Sequence, residues 1–133
     1  MMNLTNDTSL TLGPGQSVTF NLEILHTGDA ECHRPGSGSV MLRMLRAIYD
    51  ISFKANIGAT APGVANLTIF LNGSPMPETA MISATAAAGD LNNVSCSTCV
   101  RTCCCGPETI TIVNNGETTI TVEQPLLKIK RVA

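Results

Sequence analysis

Five of the chain's six cysteines fall within eleven positions, in the stretch CSTCVRTCCCG from Cys96 to Gly106. Thiols this dense can hold a soft metal, run disulfide exchange, cross-link loops, or fill space as small apolar groups. Spacing weighs these against one another. Cys96 and Cys99 form one C-x-x-C pair of the kind structural zinc uses. The second pair would have to come from the consecutive Cys103, Cys104 and Cys105, with only three residues between. Zinc knuckles need a longer connection. Neighbouring side chains of an extended chain also point to opposite sides, so three in a row do not converge on one tetrahedral ion. A redox centre wants a thiolate near a helix N-terminus or a cation. Arg101 is near, but no helix is expected there. A disulfide from Cys32 to one of Cys103, Cys104 or Cys105 stays open if their loops meet, as does pairing of these thiols across a subunit contact. The leading reading is structural, with Cys96 filling the core and the triplet held in a loop near such a contact.

The other candidates for chemistry are thinner. Cys32 and His33 adjoin, with His26 seven residues upstream. A Cys–His hydrolase also needs an orienting group and an oxyanion pocket. Asp29 and Glu31 are merely neighbours in a loop rich in Gly, Pro and Ser, so solvated loop histidines are expected. On a threefold axis, three copies of His26 or His33 would form a ring of ligands. The acidic residues are scattered singly, and no pair stands out as general acid and base. The Gly-rich segments lack the G-x-x-x-x-G-K pattern of a phosphate loop. The expectation is a non-enzyme with no catalytic residue, no cofactor and no metal.

The elements that position these residues read as strands. From Ser17 to His26, Val18, Phe20, Leu22 and Ile24 share one face. From Ala47 to Ile57, Tyr49, Ile51, Phe53 and Ala55 alternate with Asp50, Ser52 and Lys54. Helix competes only over Val40–Phe53, and the β-branched residues and Tyr49 that follow favour strand. The strand ending in Phe70 and Leu71 closes on Asn72–Gly73, a tight-turn signal. Ala80, Ile82, Ala84 and Ala86 then share a side. In the cysteine strand, Val94, Cys96, Thr98 and Val100 face one way and Cys99 the other. A hairpin is expected around Asn114–Gly116, and Pro125 marks a bulge or edge in the last strand. Eight or nine strands with turns every eight to twelve residues indicate an all-β fold, a two-sheet antiparallel sandwich or jelly roll. Residues 1–15 read as a polar arm for attachment, and residues 16–133 as the jelly roll.

Composition bounds the partners. Charged residues are 14% of the 133, against about 25% typically. Hydrophobic residues reach 44% with few aromatics. So little charge suits a protomer that buries further surface against copies of itself. Tyr49, Phe53, Phe70, Ile82, Ala84 and Cys96 are the candidates for core or trimer contact. Net charge is −2, so no basic field draws nucleic acid. No run of about 18 apolar residues would span a membrane as a helix. The opening residues lack a secretory pattern, so the chain is expected to be either cytosolic at birth or a mature fragment.

Three segments, AIYDISFKANIG, ANLTIFLNGSPMPET and ITIVNNGETTITVEQPLLKIKRV, carry a resemblance. Over about residues 16 to 133 the chain resembles the tumour necrosis factor and complement globular-head superfamily, in its bacterial and bacteriophage branch. Ala47 stands where that pattern usually carries Gly. The resemblance implies a homotrimeric jelly roll without catalysis. It implies first a virion protein, a capsid decoration, head fibre or tail-associated part of a phage. Its partners would be a capsid or tail protein reached through the arm, and a host-surface glycan or protein. The alternative is an adhesion head on a spore or cell surface, binding carbohydrate or protein.

Overall fold

Alternation of apolar and polar side chains is longest around Tyr49 and Phe53, and there the chain builds a central strand. The computed structural model describes residues 1–133, the side chain of Thr85 excepted. Its strands are β1 (Met2–Thr5), β2 (Leu10–Leu12), β3 (Leu22–His26), β4 (Glu31–His33), β5 (Val40–Leu42) and β6 (Ile48–Ala59). They continue with β7 (Gly63–Leu71), β8 (Ser74–Pro75), β9 (Met81–Thr85), β10 (Asn92–Arg101), β11 (Glu108–Asn114) and β12 (Ile120–Arg131). One sheet runs β10-β6-β12-β1-β3, with β2 also on β12; the other runs β4-β5-β11-β7-β8, with β9 also on β7. Every strand pair is antiparallel. The fold is the expected all-β, two-sheet jelly-roll sandwich.

The inner faces meet in one core. Tyr49, Ile51, Phe53 and Ile57 of β6 and Leu127 and Ile129 of β12 pack with Leu67, Ile69, Ile110 and Ile112 of the second sheet. Burying each such side chain contributes about 1.5–3 kcal/mol. Asn72 (φ 51°) and Gly73 (φ 81°) make the tight turn from β7 to β8, as their pairing signals. Met41 of β5 alternates out while Val40 and Leu42 point in, so strand wins over helix there.

Pro125 does mark a bulge. Glu123 pairs with Asn56 and Leu126 with Lys54, so Gln124 and Pro125 together oppose one residue of β6. Gln124 takes the left-handed conformation at φ 53°, and its side-chain oxygen accepts from Asn56 Nδ2 at 2.9 Å. Before the bulge Ile120 and Val122 point inward; after it Leu127 and Ile129 do. The extra residue therefore turns Leu126, Lys128 and Lys130 to the outside.

Three expectations are corrected. Residues 1–15 form no free arm. β1 lies between β12 and β3, and Met2 and Leu4 are fully buried, because their alternation supplies two more core side chains. The reading of Ser17 to His26 as one strand also fails. Val18 N–H donates to Ile112 O in the second sheet at 2.8 Å, whereas Leu22 to His26 pair with β1 in the first. The chain changes sheets between them. Val18 and Phe20 fill the core, and Leu22 and Ile24 are left exposed on an edge strand. Asn114–Gly116 is no hairpin either, since β11 and β12 belong to different sheets. Buried Asn114 anchors this crossing. Its Nδ2 donates to Leu12 O at 3.1 Å and Thr118 O at 2.9 Å, and its Oδ1 accepts from Gly116 N–H.

Candidate functional site

The predicted core and contact residues divide between inside and outside. Tyr49 and Phe53 are in the core. Tyr49 keeps its hydroxyl satisfied, donating to Ala30 O at 2.6 Å and accepting from Met44 N–H at 3.2 Å. Burial, the largest cause, pushes its pKa above the usual tyrosine value; the Met44 hydrogen bond acts the other way. Cys96 lies opposite Phe53 in the β10–β6 ladder and packs half-buried against the core. Burial pushes its thiol pKa up, with a smaller contribution from Glu78. Phe70 is half-buried and alternates away from the core residues Leu67 and Ile69.

Ile82 and Ala84 point outward. Ile82 is 64% exposed, and Ala84 pairs directly with Val64, itself 55% exposed. These side chains make an apolar patch on the β7–β9 edge, and Leu91, just before β10, is a further exposed apolar side chain. An outer groove of about 390 Å³ crosses β10, β6 and β12 in the first sheet. Ser52, Lys54, Ser95, Ser97, Leu126 and Lys128 line it, with Phe53 and Cys96 at its floor. Pairing of Ser97 and Lys128 with Ser52, and of Ser95 and Leu126 with Lys54, puts these side chains on one face. Sequence reasoning missed this groove. The signal was there in the serines alternating with Cys96 and in the bulge that turns Lys128 outward.

The six cysteines are free. Cys32 sits exposed in β4, and no disulfide joins it to the triplet. Cys103, Cys104 and Cys105 occupy an exposed bend, not an extended strand. The bend brings the sulfurs of Cys104 and Cys105 to 3.6 Å, where an extended chain would hold them apart. Among the described residues, no group of three or more His, Cys, Asp or Glu side chains is placed to hold a metal ion.

The stretch around Glu31 and His33, expected as a solvated loop, is partly built in. Glu31 is buried in β4, with the Met1 ammonium 2.9 Å from its carboxylate. His33 is buried rather than solvated. Its ring meets Phe20 edge-on, and its Nε2 lies 2.8 Å from Ser37 O. Burial takes His33 out of reach of a shared axial site. Gly58 and Ala59 are likewise interior, leaving Thr60 to Pro62 as the exposed tip.

No protein-family model and no curated protein sequence matches the chain. Solved structures do match in shape. The TNF Eiger from S. frugiperda aligns with a TM-score of 0.77 at 6% identity, over 99% of this chain and 91% of that one. The globular domain of zebrafish complement 1qA gives 0.64 at 13%, over 96% and 94%. The vertex protein P5 of PRD1 gives 0.54 at 13%, over 97% and 96%. The two antiparallel sheets and these likenesses agree: the chain has the TNF/C1q-like jelly-roll fold.

Proposed function

We propose that this chain is a non-enzymatic head protein of a phage virion, assembled as a homotrimer and seated on a capsid or tail protein. The observation that carries the reading is the exposed apolar patch of Val64, Ile82 and Ala84 on a surface otherwise short of charge. Apolar side chains left open on a small sandwich gain by burial against a partner. The fold shared with the vertex protein of PRD1 supports a place on a particle. Attachment runs through an outer surface rather than a flexible tail, since β1 is woven into the sheet.

Light scattering on the purified chain tests the assembly, with the mass of three chains expected and a stable monomer at micromolar concentration overturning it. Immunogold labelling of intact particles, with and without the gene, tests the location.

A second reading, an adhesion head on a spore or cell surface, is favoured by the groove itself. Its serines and lysines are of the kind that hold hydroxylated or anionic ligands. Location separates the readings: label on phage particles supports the first, and label on the spore or cell surface supports the second.

A further inference from the structure

The cysteine bend lies outside both surfaces just described, and its geometry points to chemistry of its own. The Cys104 and Cys105 sulfurs are 3.6 Å apart and exposed. Cys103 Sγ accepts from Cys105 N–H at 3.4 Å, which holds the bend folded. The base beneath is fixed. Thr102 is buried, donates through its hydroxyl to Met44 O at 2.7 Å, and accepts from Ala47 N–H at 2.9 Å. Two thiols thus stand side by side on a rigid footing, open to solutes.

We propose that Cys104 and Cys105 form a reversible oxidation site whose substrate is a low-molecular-weight disulfide, RS–SR. The Cys104 sulfur, having given up its proton, attacks one sulfur of RS–SR. That S–S bond breaks, one RS group leaves and takes up the proton as RSH, and Cys104 holds the other as a mixed disulfide. The Cys105 sulfur then loses its proton and attacks the Cys104 sulfur, and the second RS group leaves as RSH. Two electrons pass from the protein thiols to the disulfide, and a Cys104–Cys105 bond remains. Cys104 acts first because the Cys105 thiol, in a hydrogen bond with Cys104 and beside Cys103, holds its proton to higher pH.

Proximity selects the neighbour over other thiols. Closing 3.6 Å to a bond of about 2.05 Å takes side-chain rotation and distortion of the one peptide between them, whereas a thiol on another molecule must diffuse in. Reversibility follows from strain. Successive Cα atoms are about 3.8 Å apart, below the roughly 4.4 Å lower limit of relaxed disulfides. A bond so strained is readily reduced. The state of the bend reaches a neighbouring loop, because Cys103 O accepts from Arg46 N–H at 3.2 Å beside the exposed Met44 and Leu45.

The folded protein is treated with oxidised glutathione, alkylated, digested without reduction and analysed by mass spectrometry. The expected result is a peptide spanning 102–107 that has lost two hydrogens and carries neither adduct nor alkyl group on Cys104 and Cys105. Cys32 and Cys99 keep glutathione as a stable adduct. Cys105→Ser should trap glutathione on Cys104, and mild thiol should reverse the wild-type bond. Stable adducts on wild-type Cys104 and Cys105 at the level of Cys32, or disulfide-linked dimers through these residues on a non-reducing gel, would overturn the proposal.

Discussion

The hydroxyl of Thr5 donates to the Pro125 carbonyl at 2.6 Å, tying the first strand to the bulge of the last. The bulge sets which face of β12 is wet. Removing Gln124 sets Pro125 opposite Ala55 with Leu127 and Ile129 still inward, so the deletion variant should fold, losing about 0.5–1.5 kcal/mol with the Asn56 hydrogen bond. Thr5→Val keeps the shape but leaves the Pro125 carbonyl without this donor, at a cost of about 1–3 kcal/mol. Urea unfolding followed by circular dichroism measures both.

Asn114 holds the crossing from one sheet to the other by three side-chain hydrogen bonds. Asn114→Ala leaves the Leu12 and Thr118 carbonyls and the Gly116 N–H without a partner. The loss should be roughly 2–4 kcal/mol, larger than for Thr5→Val because more groups are stranded. A denaturant midpoint unchanged from wild type would show that the crossing does not depend on this amide.

Ile82 tests the assembly without testing the fold. It is exposed in the single chain, so Ile82→Asp should leave the chain's secondary structure intact. In the proposed trimer it buries a charge in an apolar contact, and the mass in solution should fall from three chains to one. Arg34→Asp, exposed after β4 at the other edge of the second sheet, is the control expected to keep the trimer.

Alkaline pH should weaken the fold through buried Tyr49 and half-buried Cys96. The Tyr49 and Cys96 pKa values are raised from ordinary values of 10.0 and 9.0, both chiefly by burial. A raised folded pKa means the native state holds its proton where the unfolded chain has released it. The stabilisation is complete below the unfolded value and is lost as pH climbs through the folded one. Stability in reducing buffer should therefore be level toward neutral pH and begin to fall above about pH 9. Cys96→Val should flatten the first part of that fall, and Tyr49→Phe the part above about pH 10. Unfolding free energies that stay constant across this range in wild type would contradict the assignment.

Period-two alternation was enough to establish the strands of β6, β7, β10 and β12 and the two-sheet sandwich, while Asn72–Gly73 marked a turn and Pro125 a bulge or an edge. These follow from local geometry. A strand's side chains alternate whatever it packs against, and Asn–Gly and Pro impose their backbone angles anywhere. Which sheet each segment joins was decided by tertiary structure alone. Met2 and Leu4 read as a loose arm because two apolar residues bury too little to declare a strand, until β12 and β3 flank them. Leu22 and Ile24 read as core because alternation continues through a change of sheet that carries no residue signature. Cys104 and Cys105 met for the same reason: the bend that sets their sulfurs together is fixed by Thr102 beneath it, through bonds to residues more than fifty positions earlier in the chain.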